Sequence, residues 1–206
     1  MHLFEDLVAI HRSPKLLAAV TRQDRVVNTK NVRRGVAARR GDGTFGEIIP
    51  GVTGSVESGY EVARGPVATV EIGVEVKILA KAMIKQIDRV MSDLRNQAGQ
   101  FRRGGGNPIS VAVVGINEAE QYLGHEGNRS FPTTGKGGFL HPFQEAQEAR
   151  RRLLSDAAPV FDEFLILRFR ATIQPPYPFE WVDYEASKLD YAAILARVSS
   201  RYEQRF

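Results

Sequence analysis

Glu75 and Lys77 lie two residues apart in a stretch where Val70, Ile72, Val74, Val76 and Ile78 alternate with Glu71, Gly73, Glu75 and Lys77. That alternation has the period of a β-strand, with successive side chains on opposite faces. Residues two apart in an extended chain share a face and stand roughly 6.5 to 7 Å apart, so a carboxylate and an ammonium occupy one surface. The pair could take part in chemistry that uses a carboxylate as an oxygen ligand, or it could be a weak ion pair on the solvated face of an edge strand. Spacing does not decide, because among 24 acids and seven lysines about one acid-x-Lys triplet arises by chance, and one is present.

The chain contains no cysteine, which removes disulfides, iron-sulfur clusters and thiolate zinc from consideration. The four histidines are scattered, and neither His125 nor His141 has paired zinc spacing. Any metal is therefore expected to be a hard ion held by oxygen. No apolar run reaches membrane-spanning length, and the first residues lack the pattern of a secretory leader, so a cytoplasmic location without membrane attachment is expected. The net charge is +4 and the isoelectric point about 9.5. Seven basic residues fall between Arg22 and Arg40, among them Arg33, Arg34, Arg39 and Arg40, against the single acid Asp24. Such a cluster can follow a phosphate backbone, and can equally be a solvated basic loop.

The elements around the pair are legible from periodicity. Residues 3–10 have helical spacing, and Ser13-Pro14 is an N-cap followed by a first-turn proline for a helix to about Arg22. Glycines from 34 to 59 point to turns and loops. Arg64-Gly65-Pro66 reads as the turn of an antiparallel hairpin joining 60–63 to 67–79. An amphipathic helix follows over 80–101, with Ile84, Ile87, Val90, Met91, Leu94, Ala98 and Phe101 on one stripe. Residues 109–116 form a β-branched run suited to a strand buried on both faces. A loop at 128–138, a helix over 142–154, a strand over 163–173 and a helix over 184–202 complete the chain. The expectation is one α/β domain spanning 1–206, with its core at about 47–173 and helices at both ends.

A glycine-punctuated strand region, the Glu75-Val76-Lys77 triplet, a long amphipathic helix and a buried strand together resemble the PD-(D/E)XK nuclease superfamily. The segment GVEVKILAKAMIKQIDRVMSDL resembles it most, within residues 47–116. The resemblance implies a restriction-endonuclease-like core, a central mixed β-sheet flanked by helices in the order helix, three strands, helix, strand. It also implies a Mg2+-dependent DNA endonuclease, with Mn2+ as a substitute ion. Glu75 and a second, upstream acid would ligate the metal with the Val76 carbonyl, while Lys77 would position the attacking water and stabilise the developing phosphorane charge.

No Pro-Asp pair precedes the triplet, which departs from the family pattern. With a hairpin turning near Gly65, residues 55–61 face 69–75, and Glu57 falls diagonally across from Glu75. Glu57 is thus the expected upstream ligand, with Glu61 second and Glu47 a further candidate. Glu71 shares the face but lies about 13 Å along the strand, at the rim. Lys81 and Lys85 on the following helix are candidate contacts to DNA phosphates, ahead of Gln86 and Arg89.

Gly135-Lys136-Gly137-Gly138 lacks the complete phosphate-loop pattern, and there is no Gly-x-Ser-x-Gly elbow. Trp181, with Tyr177, Phe179 and Tyr184, could stack on bases or pack at an edge or dimer interface. DNA is the expected partner, and a homodimer is expected because cutting both strands calls for two sites related by a twofold axis. Two other readings are a repair or junction-resolving nuclease and a non-catalytic DNA-binding or structural protein of the same fold.

Overall fold

The computed structural model describes residues 2–28, 32–33, 36–37, 42–81, 83–103, 106–120, 142–172 and 175–206. The chain begins with helices α1 (Leu3–Ala9) and α2 (Pro14–Thr21), then strands β1 (Arg25–Asn28), β2 (Val32–Arg33), β3 (Val36–Ala37), β4 (Gly43–Ile48), β5 (Arg64–Gly65) and β6 (Val67–Leu79). Helix α3 (Met83–Arg102) leads to β7 (Ile109–Asn117) and α4 (Pro142–Arg152), which runs on into a π turn (Leu153–Ala157) and a 3-10 turn (Ala158–Val160). Strands β8 (Glu163–Ala171) and β9 (Phe179–Trp181) and helix α5 (Tyr184–Arg205) follow.

Local chemistry explains several boundaries. Ser13 caps α2, its hydroxyl accepting the Leu16 N–H at 3.1 Å, and Pro14 fills the first turn, where no N–H is needed. Asp183 caps α5 in the same way, accepting from Ala186 at 2.9 Å. Both helices begin where the sequence places them.

Seven strands form one mixed sheet in the order β5-β1-β4-β6-β7-β8-β9, while β2 and β3 pair separately. Strands β1, β4 and β6 are antiparallel neighbours, whereas β6, β7 and β8 run parallel. Helices cover both faces. Ile72 and Val74 of β6 pack with Leu3, Leu7, Leu16, Ile194 and Val198 of α1, α2 and α5. On the other face Leu79, Val114 and Ile116 pack with Ile87, Met91 and Leu94 of α3 and with Ala146 and Ala149 of α4. Burying each such aliphatic side chain contributes about 1.5–3 kcal/mol, so this double-sided core holds β6 rigidly. Every residue of β7 is buried, as its β-branched run requires.

The hairpin differs from the sequence expectation. The antiparallel partner of β6 is β4, not residues 60–63, and Arg64-Gly65 is a short strand parallel to β1 rather than a turn. Residues 60–63 are tied elsewhere: the main-chain N–H groups of Glu61 and Val62 donate to the Glu5 carboxylate. Residues 43–48, two of them glycine, form the strand that glycine content concealed.

The register of β4 against β6 contains a bulge. Phe45 pairs with Ile72 and Gly46 with Val70, which leaves Glu71 as the extra residue. Glycine is needed at position 46 because a Cβ there would sit 2.0 Å from the Thr69 carbonyl oxygen. Among the described residues no helix is long and apolar enough to cross a membrane.

Candidate active site

The antiparallel ladder ends with Gly43 opposite Val74, and its next step sets Asp42 beside Glu75. Contacts confirm the proximity. Asp42 Oδ2 accepts the Val76 main-chain N–H at 2.6 Å, and both the charge and the backbone of Asp42 act on the Glu75 carboxylate. Lys77 Nζ lies 2.6 Å from Glu75 Oε1.

β6 is an interior strand, not an edge, and the Glu75 side chain is only 8% exposed. The bland reading of Glu75 and Lys77 as a solvated surface pair does not hold. Burying a carboxylate costs several kcal/mol unless it is compensated. Burial accordingly pushes the Glu75 carboxyl above its ordinary range, and the negative charge of Asp42 adds to this, while Lys77 and the Asp42 backbone pull in the opposite direction. A perturbed acid with one specific cation partner is a mark of functional sites.

Val76 contributes its backbone. A strand residue points its N–H and C=O toward the same neighbouring strand, and the Val76 N–H points to Asp42. The last β4–β6 pair is Gly43 with Val74, so the Val76 carbonyl lies on the β4 side of the strand beyond that ladder. The donors gathered there are all oxygen, which suits a hard divalent ion. Among the described residues no group of three or more His, Asp or Glu side chains converges, so a metal here would be held by Asp42, Glu75 and the Val76 carbonyl, with water completing its coordination.

The acids expected upstream stand elsewhere. Glu57 is exposed and pairs with Arg64 at 3.2 Å. Arg64 belongs to the edge strand β5, with β1 and β4 between it and β6 in the sheet order, and it does not bring Glu57 to Glu75. Glu61 is exposed on the loop before β5, its N–H held by Glu5. Glu47 lies on β4, opposite Thr69 and five residues from Asp42, about 16 Å away along the strand. These displacements share one cause, the partnering of β6 by β4.

Glu71 is not at the rim of the site. The bulge turns it toward α5, where its carboxylate accepts from Tyr202 Oη at 2.5 Å and from Arg25 Nε at 2.5 Å. Burial and the Glu71 carboxylate push the Tyr202 hydroxyl well above its usual range, so it stays a neutral donor. This network joins the first strand, the long strand and the last helix, and its role is structural.

Lys81 lines a cavity on the opposite sheet face, beside Ile78, Phe169 and Trp181. Lys85 is exposed, about half a turn from the buried stripe of α3, and Gln86 and Arg89 are exposed as well. The only described part of the basic cluster's core is the backbone of Arg33 in β2, and Arg34, Arg39 and Arg40 lie outside the described residues.

Gln97 was not singled out from the sequence. A Cβ on Gly73 would meet the Phe101 ring at 2.5 Å, so glycine lets α3 approach β6 closely there. Met83 and Ile87 cluster with Leu79, so α3 runs back along β6 from Leu79 to Gly73. Gln97 lies one turn before Phe101, over the part of β6 that carries Glu75 and Lys77. It is 4% exposed, and its buried Nε2 has no partner among the described residues, nor have the buried Thr44 Oγ1 and Gln100 Oε1. Thr44 stands opposite Gly73, on the same side of the sheet. Unsatisfied buried polar atoms are rare in stable folds. In sequence Gln97 is one polar residue on an apolar stripe, and only that anomaly could have drawn attention to it.

No family model, no curated protein and no solved structure matches the chain.

Proposed function

We propose that the chain is a Mg2+-dependent nuclease that hydrolyses DNA phosphodiesters at Asp42, Glu75 and Lys77. The observation that carries this reading is the pairing of β4 with β6, which sets a second carboxylate against Glu75 and fills the place left by the missing Pro-Asp pair. The element order is a further support. The run α2, β1, β4, β6, α3, β7 is helix, three strands, helix, strand, if the β2-β3 hairpin and two-residue β5 are treated as insertions, and this is the order the PD-(D/E)XK resemblance implies.

Asp42, Glu75 and the Val76 carbonyl would hold the ion, and Mn2+ would suit the same oxygens. When bound, the metal polarises a phosphoryl oxygen and acidifies water. Glu75 must be ionised to serve as a ligand, and Lys77 favours that state against the cost of burial. Lys77 also places a fixed positive charge where negative charge grows on the phosphorus oxygens. Asp42 is held by the Val76 N–H, so both carboxylates are oriented before substrate arrives. Two such sites in a homodimer would cut both strands of a duplex.

The test is incubation of supercoiled and linear DNA with MgCl2 or MnCl2, comparing the native chain with Asp42→Asn, Glu75→Gln and Lys77→Met. Each substitution is expected to lower the rate by about 100-fold or more. Cleavage that survives both Asp42→Asn and Glu75→Gln removes this site from the reaction.

A second reading has its own support. The 2.6 Å Glu75–Lys77 contact satisfies both charges internally, as it would in a non-catalytic DNA-binding or structural protein of this fold. DNA binding without metal-dependent cleavage is its signature.

A further inference from the structure

Among the described residues, no strand pairs with the outer side of the amino-terminal half of β8. On its outer side β9 pairs only with Phe169, Arg170 and Ala171, and Val182 extends that contact by donating to the Arg168 carbonyl. Phe169 points its carbonyl inward, to the Glu118 N–H. Even-numbered residues of β8 therefore direct their main-chain groups outward, and the parallel register with β7 runs without a break from Val111–Glu163 to Asn117–Phe169. The N–H and C=O of Phe164 and Ile166 face outward with no strand opposite them among the described residues. Unpaired main-chain groups of this kind are a template for another strand.

A cavity of about 370 Å³ lies along this edge. One wall carries Arg150 of α4 and Leu154 of the π turn, and the other carries Ala186, Asp190 and Ala193 of α5. Neither Arg150 nor Asp190 has an ion-pair partner among the described residues, whereas Arg168 and Arg197 in the same cavity are held by Glu118 and Glu163.

We propose that this groove binds an extended peptide segment of a partner protein, which adds a strand to β8 in line with β9. The free edge spans residues 163–167, about 16 Å, which is room for some five residues. Alternate side chains of a bound strand face opposite walls. Those toward α4 meet Arg150 and Leu154 and are acidic or apolar. Those toward α5 meet Asp190 between two alanines and are basic or small. A second copy of this chain fits poorly, because an antiparallel pairing centred on Leu165 would drive its own β9 against residues 158–162. β-Augmentation of this kind takes affinity from main-chain hydrogen bonds and specificity from the alternating pockets.

The proposal does not depend on nuclease activity. The experiment pans a display library of random nine-residue peptides against the full chain, then resynthesises a selected peptide with N-methyl groups on one or the other alternate set of amides. Enriched peptides should alternate acidic or apolar residues with basic or small ones. Methylation of the set facing β8 should weaken binding by about tenfold or more, and methylation of the other set should leave it unchanged. The double substitution Arg150→Glu with Asp190→Lys, both on helix surfaces, should invert the charge preference while Tm stays within a few degrees. Failure to enrich any peptide, or equal binding by both methylated forms, overturns the proposal. So does a sedimentation equilibrium showing dimers that Ile166→Lys disrupts and the peptide does not displace.

Discussion

Asp42 reaches across the end of its strand to accept the Val76 main-chain N–H at 2.6 Å, immediately beside the carboxylate of Glu75. Val76 sits between Glu75 and Lys77 in the chain, so one hydrogen bond fixes Asp42 relative to both. Asp42→Asn keeps an acceptor for that N–H and removes the charge. Cleavage with Mg2+ should fall by about 100-fold or more, while thermal unfolding shifts by no more than a few degrees. Circular dichroism melts set beside plasmid cleavage rates check this. A variant that loses activity only because it unfolds would count against the assigned role.

The raised carboxyl of Glu75 gives a pH dependence of definite sign. Burial is the main cause, so the native state holds this proton at pH values where the unfolded chain has released it. In that window the native state binds more protons, and stability falls as pH rises. The stability associated with protonated Glu75 is fully present below the ordinary carboxylate range and is lost as pH passes through the higher native value. Glu75→Gln should therefore stabilise the metal-free chain more at neutral pH than at about pH 4, as denaturant titration can measure. Metal-dependent cleavage should run the other way, rising with pH through a midpoint above the ordinary carboxylate range. Lys77→Met should move that midpoint higher, because the ammonium is the principal group favouring ionised Glu75. An unchanged midpoint would separate Lys77 from the ionisation of Glu75.

Gln97 separates activity from stability. Its buried Nε2 has no partner among the described residues and sits on the helix that runs back along β6, so the folded chain bears a desolvation cost there, about 1–3 kcal/mol for a group of this kind. Gln97→Met conserves shape and removes that cost. Stability should be unchanged or higher, and DNA cleavage should fall by about tenfold or more if the amide meets substrate or its water. Equal activity with raised stability would make Gln97 a packing residue alone.

The strand of Glu75 and Lys77, the following helix and β7 are legible because each carries a clean period: alternation over 70–78, a three-four stripe over 84–101 and an apolar run over 109–116. The second carboxylate was hidden by the same logic. Asp42 sits between Gly41 and Gly43 in a segment whose glycines suggest turns, and its strand is recognised only through its pairing with β6. Parity places Glu57 across from Glu75 only if residues 55–61 partner β6, and β4 takes that place instead. Glu71 shows the other limit of parity. A single bulge at Gly46 removes it from the face it shares on paper, and nothing in the local sequence of β6 announces a bulge. Phe179 to Trp181, read as an aromatic cluster near prolines, forms a short edge strand stacked on Phe169.

Glu71 also supplies a prediction that isolates structure from chemistry. Its two oxygens are shared between Tyr202 of the last helix and Arg25 of the first strand, each at 2.5 Å. Tyr202→Phe removes one donor to a buried carboxylate and leaves the ring in the core beside Phe45. The expected cost is about 1–3 kcal/mol, read as a lower denaturant midpoint with an unchanged slope. Arg25→Met removes the one cation bonded to Glu71 among the described residues and should cost more than Tyr202→Phe, since the carboxylate is then left buried without a counter-ion. Glu71→Gln should restore part of the stability lost in Arg25→Met, because a neutral amide no longer needs the cation. None of these changes should alter the pH midpoint of cleavage, because the bulge places Glu71 on the α5 side of the sheet and Glu75 on the side of α3. A shift in that midpoint would mean the two carboxylates are coupled through β6, and Glu71 would then belong to the site after all.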